Sequence, residues 1–500
     1  MVRKAYIKNN TYQDSVALMR LSTMAAKMEG VNRASVMMGT PLNKTVLEDV
    51  GLFVPELASA QPSDLIVVVE AAEEDVVSSA ISKIKDELNR EATLDDTEGD
   101  AKPVSIAEAL QKDASFNLVA ISTPGEFAAS EARKALKKGL NVFMFSDNVS
   151  IEDEIELKTY AHDHGLLVMG PDCGTSLLGG VPLGFVNIVN KGSIGLIGAS
   201  GTGMQEVMCR IDQMGGGVSN AIGIGSHDLS GKVGGISMLD SMQILAADDD
   251  TKVIVLISKP PEESVAKKMC EAAKKLPVPV VVCFLGSESI PQEDNLYIAS
   301  TLDDAARYAV SLAKGETPVA EEKAMFQPDA EPKGYIRALY SGGTLAYEAI
   351  VLLEKHGVNV FSNIAATAEK TLEDHRVSRE NTVVDMGDDK FTVGKPHPMI
   401  DFTDRVARAY EEAKDANVKV ILMDVVTGYG SIANPSDYLV PMLENIAKAR
   451  PDLKFVIHLC GTTHDGQSIE KLYEDLSNAG AIVDYNHASA VEKAWSLLFE

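Results

Sequence analysis

With 500 residues, 45% of them hydrophobic, the chain is long enough for about three domains with full cores. Its formal charge of −27 is spread along the sequence rather than gathered in a tail, which argues against nucleic acid or an anionic membrane surface as partner. The five cysteines (Cys173, Cys209, Cys270, Cys283 and Cys460) lack CxxC spacing, no stretch approaches 18 apolar residues, and the start MVRKAYIKNNTYQDS has no apolar h-region; a soluble cytoplasmic protein is expected.

The first region opens with a short strand near residues 5–7 and a helix from about Asp14, where Val16, Leu18, Met19, Leu21 and Met24 recur at helical spacing. A strand over 64–70 (DLIVVVE) leads into a charged helix over 73–90, and 91–102 (EATLDDTEGDAK) reads as a polar, acidic loop. An alternating run follows, with strands at 116–122 (FNLVAIS), 141–147 (NVFMFSD) and 166–170 (LLVMG) and helices from Glu126 and Ile151. Strands apolar on both faces and separated by helices predict a parallel, doubly wound, Rossmann-like sheet, assigned to residues 1–180. Such sheets bind ligands at the carboxyl ends of their strands, which makes Ser122, Asp147, Asn148 and Cys173 candidate substrate contacts. Cys173 acts as a nucleophile only if a base lowers its pKa, and none lies near it in sequence; a small crevice residue is the alternative. His162 and His164 flank an aspartate near a helix end, where a capping or surface role stands against metal binding, and no metal site is expected.

The second region, 181–315, and the third, 335–500, are joined by a linker at 316–334 rich in Pro, Lys and Glu. They are organised around a repeat. IGLIGASGTGMQEVMCRIDQMGGGV at 194–218 returns at 336–360 as IRALYSGGTLAYEAIVLLEKHGVNV, a spacing of 142 that superposes Gly201, Thr202, Glu206, Gly215 and Val218 on Gly343, Thr344, Glu348, Gly357 and Val360. Each copy reads as strand, Ser/Gly/Thr turn and glycine-closed helix. A helix after such a turn leaves N–H groups without intrahelical acceptors and carries partial positive charge, so an anion, most commonly phosphate, is its natural guest. The phosphate-binding candidates are Ser200, Gly201, Thr202 and Gly203 in one copy and Ser341, Gly342, Gly343 and Thr344 in the other, facing one shared anion. Strands at 252–258 and 419–424 form a second matched pair, now 167 apart because the third region carries extra residues between Val360 and Val384.

Four residues are catalytic candidates. Lys232 and Lys395 each follow a glycine and either balance phosphate charge or lie solvated; His227 and His397 sit in glycine-rich loops as general acids or substrate donors. Asp388 and Asp389 either bind a metal or a substrate amide or form a turn. Glu206 and Glu348, one turn inside the two helices, either order the site or serve packing.

In order, LLVMGPDCGTS, KGSIGLIGASGTGMQE, DDTKVIVLISKPPEE and PVVVCFLG resemble the alpha subunit of succinyl-CoA synthetase, and the third region resembles a further ligase-type flavodoxin-like domain. KNNTYQDSV, FSDNVSIEDE, MGPDCGTS, GASGTG, SGGTL and GKPHPMID together resemble the FdrA family over nearly the whole chain. The resemblance implies a Rossmann-like, CoA-binding-like domain followed by two flavodoxin-like domains, with both helix N-termini pointing at one phosphoryl group. It implies a subunit of an oxamate carbamoyltransferase complex in allantoin degradation, exchanging oxalurate and phosphate for oxamate and carbamoyl phosphate. Other subunits, and a second copy of the chain, are the implied partners, with phosphate or carbamoyl phosphate as substrate. Two departures from the synthetase stand out: SESIPQEDN after VVVCFLG has no histidine to carry phosphate, and IKNNTYQDS has no glycine for a CoA-binding turn. No ATP-grasp region is seen, so an acyl-CoA synthetase component, or a non-catalytic scaffold subunit that lends one wall of a site to a partner, is the alternative, and CoA binding is not expected.

Overall fold

The structure is a computed structural model that describes residues 2–11, 13, 15–94, 103–287, 293, 295–319, 330–393 and 395–500. The chain forms two units, Met1–Ala114 with Phe391–Pro396, and Ser115–Lys390 with His397–Glu500.

In the first unit β1 (Val2–Lys8), β2 (Val31–Met38) and β3 (Leu65–Ala71) form a sheet of order β1-β3-β2, with β3 antiparallel to both neighbours. The sequence LIVVVEA suits a central strand because both faces are covered. Leu18, Leu21, Val77 and Ile84 pack on one face, and Leu47, Leu52 and Leu57 on the other. Glu70 lies opposite Arg3 and Arg33 in the two pairings; bonds from Arg33 and Arg3 bring its carboxyl down to about 2. This corrects the parallel sheet assigned to 1–180, since residues 1–114 contribute none of it. Apolar runs report burial on both faces but carry no information about strand direction. The helix expected over 73–90 runs Glu74–Leu94, and the rest of the expected acidic loop, 95–102, lies outside the described residues.

The second unit begins with the parallel strands β4 (Leu118–Ile121), β5 (Asn141–Met144) and β6 (Val168–Met169) in sequential order. These are the strands expected near 116–170. Next come β7 (Thr175–Leu178), β8 (Val181–Gly184), β9 (Lys191–Gly198), β10 (Val218–Gly223), β11 (Val253–Ser258), β12 (Val280–Phe284) and β13 (Leu296–Ile298). Their sheet order is β13-β12-β11-β9-β10-β7-β8. The five strands from β9 onward are parallel in flavodoxin-like order, and the β7-β8 hairpin joins antiparallel at the β10 edge.

The last sheet contains β14 (Tyr335–Tyr340), β15 (Val360–Ser362), β16 (Asn381–Asp385), β17 (Val418–Val426), β18 (Lys454–Cys460) and β19 (Ile482–Asp484). All are parallel, in the order β15-β16-β14-β17-β18-β19. The second copy of the plan thus differs from the first by one strand: β16 is inserted between β15 and β14. That insertion accounts for the growth in repeat spacing.

The repeated helices are Gly201–Gln213 and Gly343–Lys355, and each is followed by glycine in the left-handed region, Gly215 (φ 74°) and Gly357 (φ 75°). Val207 and Ile211 from one, and Leu345 and Ala349 from the other, enter a single apolar cluster with Ala305, Ala309, Val491 and Trp495. Regions two and three therefore share one core, although the sequence reads as two domains. Of the expected linker, residues 320–329 lie outside the described residues. Among the described residues no helix is long and apolar enough to cross a membrane.

Candidate functional site

The two repeated helices meet at their N-termini. Ser200 caps the first by accepting from Gly203 N at 3.0 Å and donates its own proton to Thr344 Oγ1 at 2.5 Å. A Cβ at Gly342 would lie 2.3 Å from Thr202 Cγ2, and one at Gly203 would lie 2.9 Å from Thr344 Cγ2. Glycine at both positions lets the two backbones cross this closely. The second helix has no side-chain cap at Gly342, so its first N–H groups face the junction open.

Seven of the eight candidate phosphate-binding residues gather at this junction; Ser341 is the exception. Its N–H and hydroxyl are committed to Asp424 at 2.8 and 2.7 Å. Asp424 in turn accepts from Arg405 Nη2 at 2.6 Å, and both side chains are fully buried. Ser341 therefore anchors the turn from beneath and has no donor left for an anion. Ser200 is likewise occupied, as cap and as donor to Thr344.

Asp385 and Lys259, which sequence reasoning missed, stand beside the second tip. A Cβ at Gly343 would lie 2.5 Å from Asp385 Oδ2 and 3.5 Å from Lys259 Nζ. Asp385 ends β16 and Lys259 follows β11, so the rule that ligands bind at the carboxyl ends of strands would have found both. Asp385 is 7% exposed; burial pushes its carboxyl up to about 7 despite the nearby Lys259. Oδ1 accepts from Gly387 N at 2.9 Å.

His397 points at the same spot. A Cβ at Gly387 would lie 2.6 Å from Ser341 O, 2.9 Å from His397 Nε2 and 3.2 Å from Asp385 Oδ1. His397 Nδ1 accepts from Met399 N at 3.3 Å, which leaves the ring proton on Nε2. Burial brings the imidazole down to about 4. His397 is consequently a neutral N–H donor at physiological pH, which speaks against the general-acid reading.

The other candidates divide. Asp147, Asp389 and His227 all act electrostatically on Asp172, whose carboxyl is raised first by desolvation and then by Asp147. His227 is exposed, 3.6 Å from Glu154, and raised by that contact. Asp388 accepts from Lys390 N at 2.9 Å, the turn role weighed against substrate binding, and desolvation followed by Asp147 raises Asp389. Asn148 is exposed with φ 53°, beside the exposed Asp147, and Ser122 is exposed after β4.

Cys173 is 2% exposed and packs under Gly223, and burial pushes its thiol up to about 11, which speaks against both a nucleophile and a substrate contact. Lys232 is exposed in its loop, where the buried lysine is instead Lys158, bonded to Glu154, Asp228 and Ile224 O. Lys395 belongs to the segment grouped with the first unit.

One turn inside the helices, Glu206 and Glu348 are each paired with a histidine absent from the sequence candidates. Glu206 Oε2 lies 2.9 Å from His458 Nε2. Glu348 Oε2 lies 2.5 Å from His487 Nδ1, and His487 Nε2 lies 2.8 Å from Tyr340 Oη. His487 N also donates to Glu206 Oε1 at 3.3 Å, which ties the two halves into one buried polar network. The packing reading of the two glutamates is the one the structure favours. Among the described residues no group of three or more His, Cys, Asp or Glu is arranged to hold a metal ion.

Comparison with known families matches residues 1–104 to "AllF, heavy metal-associated domain", 189–286 to "CoA binding domain" and 339–496 to "CoA-ligase". Residues 1–104 contain neither cysteine nor histidine, so the thiolate and imidazole donors suited to a heavy metal are missing there. The CoA-binding match falls on β9 to β12 and the first tip helix, not on 1–180 where sequence analysis placed such a domain.

YahF of Escherichia coli (strain K12) is 44% identical over 497 residues, covering 96% of this chain and 95% of that one. Succinate–CoA ligase [ADP-forming] subunit alpha 2 of Archaeoglobus fulgidus is 26% identical over 162 residues, 31% of this chain and 54% of the relative. ADP-forming sulfoacetate-CoA ligase subunit SauD of Bilophila wadsworthia is 26% identical over 216 residues, 41% of this chain and 70% of the relative. These similarities point to a ligase rather than to the transferase expected from sequence. The chain belongs to the same family as YahF and is a succinyl-CoA synthetase-like, FdrA-type protein of the CoA-ligase kind.

Proposed function

We propose that this chain handles phosphate, or the phosphate end of an acyl phosphate, in an acyl-CoA synthetase-type reaction. The observation that carries the reading is the meeting of two helix N-termini, sealed to one another by Ser200 and Thr344, with the second left uncapped. N–H groups of Gly201, Thr202, Gly343 and Thr344 orient the anion and stabilise charge developing on it. Neutral His397 supplies a donor to the carbonyl being transferred, and Lys259 offsets part of the added charge. The relatives' names call them subunits, so the reaction is assigned to this chain together with partners.

A second reading is carbamoyl transfer, in which oxalurate and phosphate give oxamate and carbamoyl phosphate. It is favoured by the carboxylates of Asp147, Asp172 and Asp389, which act on one another and suit a small amide better than the several phosphates of CoA. The test runs the chain with its partner subunits in two arms: phosphate-dependent thiol release from acyl-CoA thioesters, and carbamoyl phosphate formation from oxalurate. Turnover in one arm selects the reading. Gly201→Asp, which sets a carboxylate on the first tip, lowers that turnover at least about 100-fold; wild-type turnover in the variant overturns both.

A further inference from the structure

Asp385 is hard to reconcile with an anion site if it is always charged. Its Oδ2 is aimed at Gly343 on the open helix tip and has no hydrogen-bond donor among the described residues, while the residue is 7% exposed. A dianion seated on that tip would meet an ionised carboxylate at close range. Repulsion there is screened little, because the groups lie far closer than the roughly 8 Å over which physiological salt acts.

Resting on the phosphate reading above, we propose that Asp385 is the proton donor of this site: in its neutral form its carboxyl O–H donates to an oxygen of the bound oxyanion, and one proton enters the protein with each dianion. The surroundings suit that role. Lys259 approaches from the end of β11 and Asp424 from β17, where Arg405 already neutralises it; Asp388 follows in the same loop, and neutral His397 stands with Asp385 Oδ1 beside Gly387. Among the described residues Lys259 is the cation that acts most strongly on Asp385, and Asp388 and Asp424 oppose it. Burial completes the bias toward the neutral form, and the group's titration close to neutrality leaves the proton exchangeable under working conditions. The first half offers no equivalent. The strand beside β9 at the matching place is β10, which ends at Gly223.

The test uses the full chain and sulfate, which stays a dianion across the range in which phosphate itself titrates. Isothermal calorimetry in buffers of different ionisation enthalpy counts protons taken up per sulfate. At pH 8 the wild type takes up close to one, and its apparent affinity falls by up to about tenfold per pH unit above neutrality. Asp385→Asn, which keeps an acceptor for Gly387 N and permanently presents a donor, binds sulfate with no proton uptake and a flat pH profile. His397→Gln retains the uptake, because that ring is already neutral. If Asp385→Asn fails to fold, the infrared carbonyl band of a protonated carboxyl, gained by the wild type on adding sulfate at pH 8, gives the same answer. Sulfate binding without proton uptake, or with equal uptake in wild type and Asp385→Asn, overturns the inference and leaves the anion site standing. Failure of the folded wild type to bind sulfate or phosphate at any pH overturns both.

Discussion

Gly342→Ala tests whether the two tips act as one site. Gly342 has φ −145° and ψ 132°, extended backbone open to any residue, so the substitution acts only through its new methyl group. That carbon would lie 2.3 Å from Thr202 Cγ2 and 2.4 Å from Thr202 Oγ1, about 1 Å inside the 3.4 Å at which ordinary contact begins. Thr202 is held by its own helix, so the two tips must part by about that distance. Overpacking of this kind costs roughly 1–3 kcal/mol. A 1 Å displacement of groups that grip one ligand costs up to about 100-fold in what they do. Differential scanning fluorimetry should show a lower midpoint by a few degrees, and sulfate affinity measured by calorimetry should weaken about 10- to 100-fold. Adding Thr202→Gly removes the obstructing side chain and should restore most of both. If Gly342→Ala leaves anion affinity unchanged while lowering the melting temperature, the tips are only a packing contact and the shared-site argument fails.

Arg405→Met leaves Asp424 buried without its cation and should destabilise the second unit by about 3–5 kcal/mol, read by urea unfolding; a loss under 1 kcal/mol would contradict the pairing. The Glu206–His458 pair sets a pH window for stability. Glu206 is held below its usual range despite burial, so its contribution is present above the ordinary carboxylate pKa and is lost in acid as that lowered value is crossed. His458, raised by Glu206 against its burial, contributes fully below the ordinary histidine pKa and loses that stability as pH rises through its folded value. His458→Gln should therefore unfold more easily at pH 7 yet show a flatter alkaline limb than wild type. Cys209, Cys283 and Cys460 are fully buried with thiols pushed up by that burial, so Ellman's reagent at pH 8 should leave them unmodified until denaturant is added.

Much of this architecture was legible because it rests on periodicity. The duplicated strand-turn-helix at 194–218 and 336–360 carries its own signal, and the spacing of 142 reproduces two helices of equal length, Gly201–Gln213 and Gly343–Lys355. Strand direction was not legible: LIVVVE at 65–70 looks the same whether its neighbours run with it or against it. Nor was strand insertion, because TVVD at 382–385 reads as one more apolar run. At the site, the backbone donors could be found because glycine marks close approach, and Asp385 and Lys259 could have been found from their places at strand ends, while the buried histidines could not. His458 and His487 find Glu206 and Glu348 only through the tertiary fold, and their sequence neighbours give no hint of partners more than 100 residues away. Cys173 misled in the opposite sense: a loop position at a strand end suggested access, and the fold closed over it.

The extra strand β16 has a lasting consequence. Duplication alone would yield a pair of jaws with identical chemistry on either side, able to hold a symmetrical guest and little else. By interrupting one copy between β15 and β14, the chain supplies a single jaw with an acid that its twin lacks. On the proposed anion site this makes the cradle handed: a guest carrying one departing oxygen and one that stays would have one favoured way to lie in it.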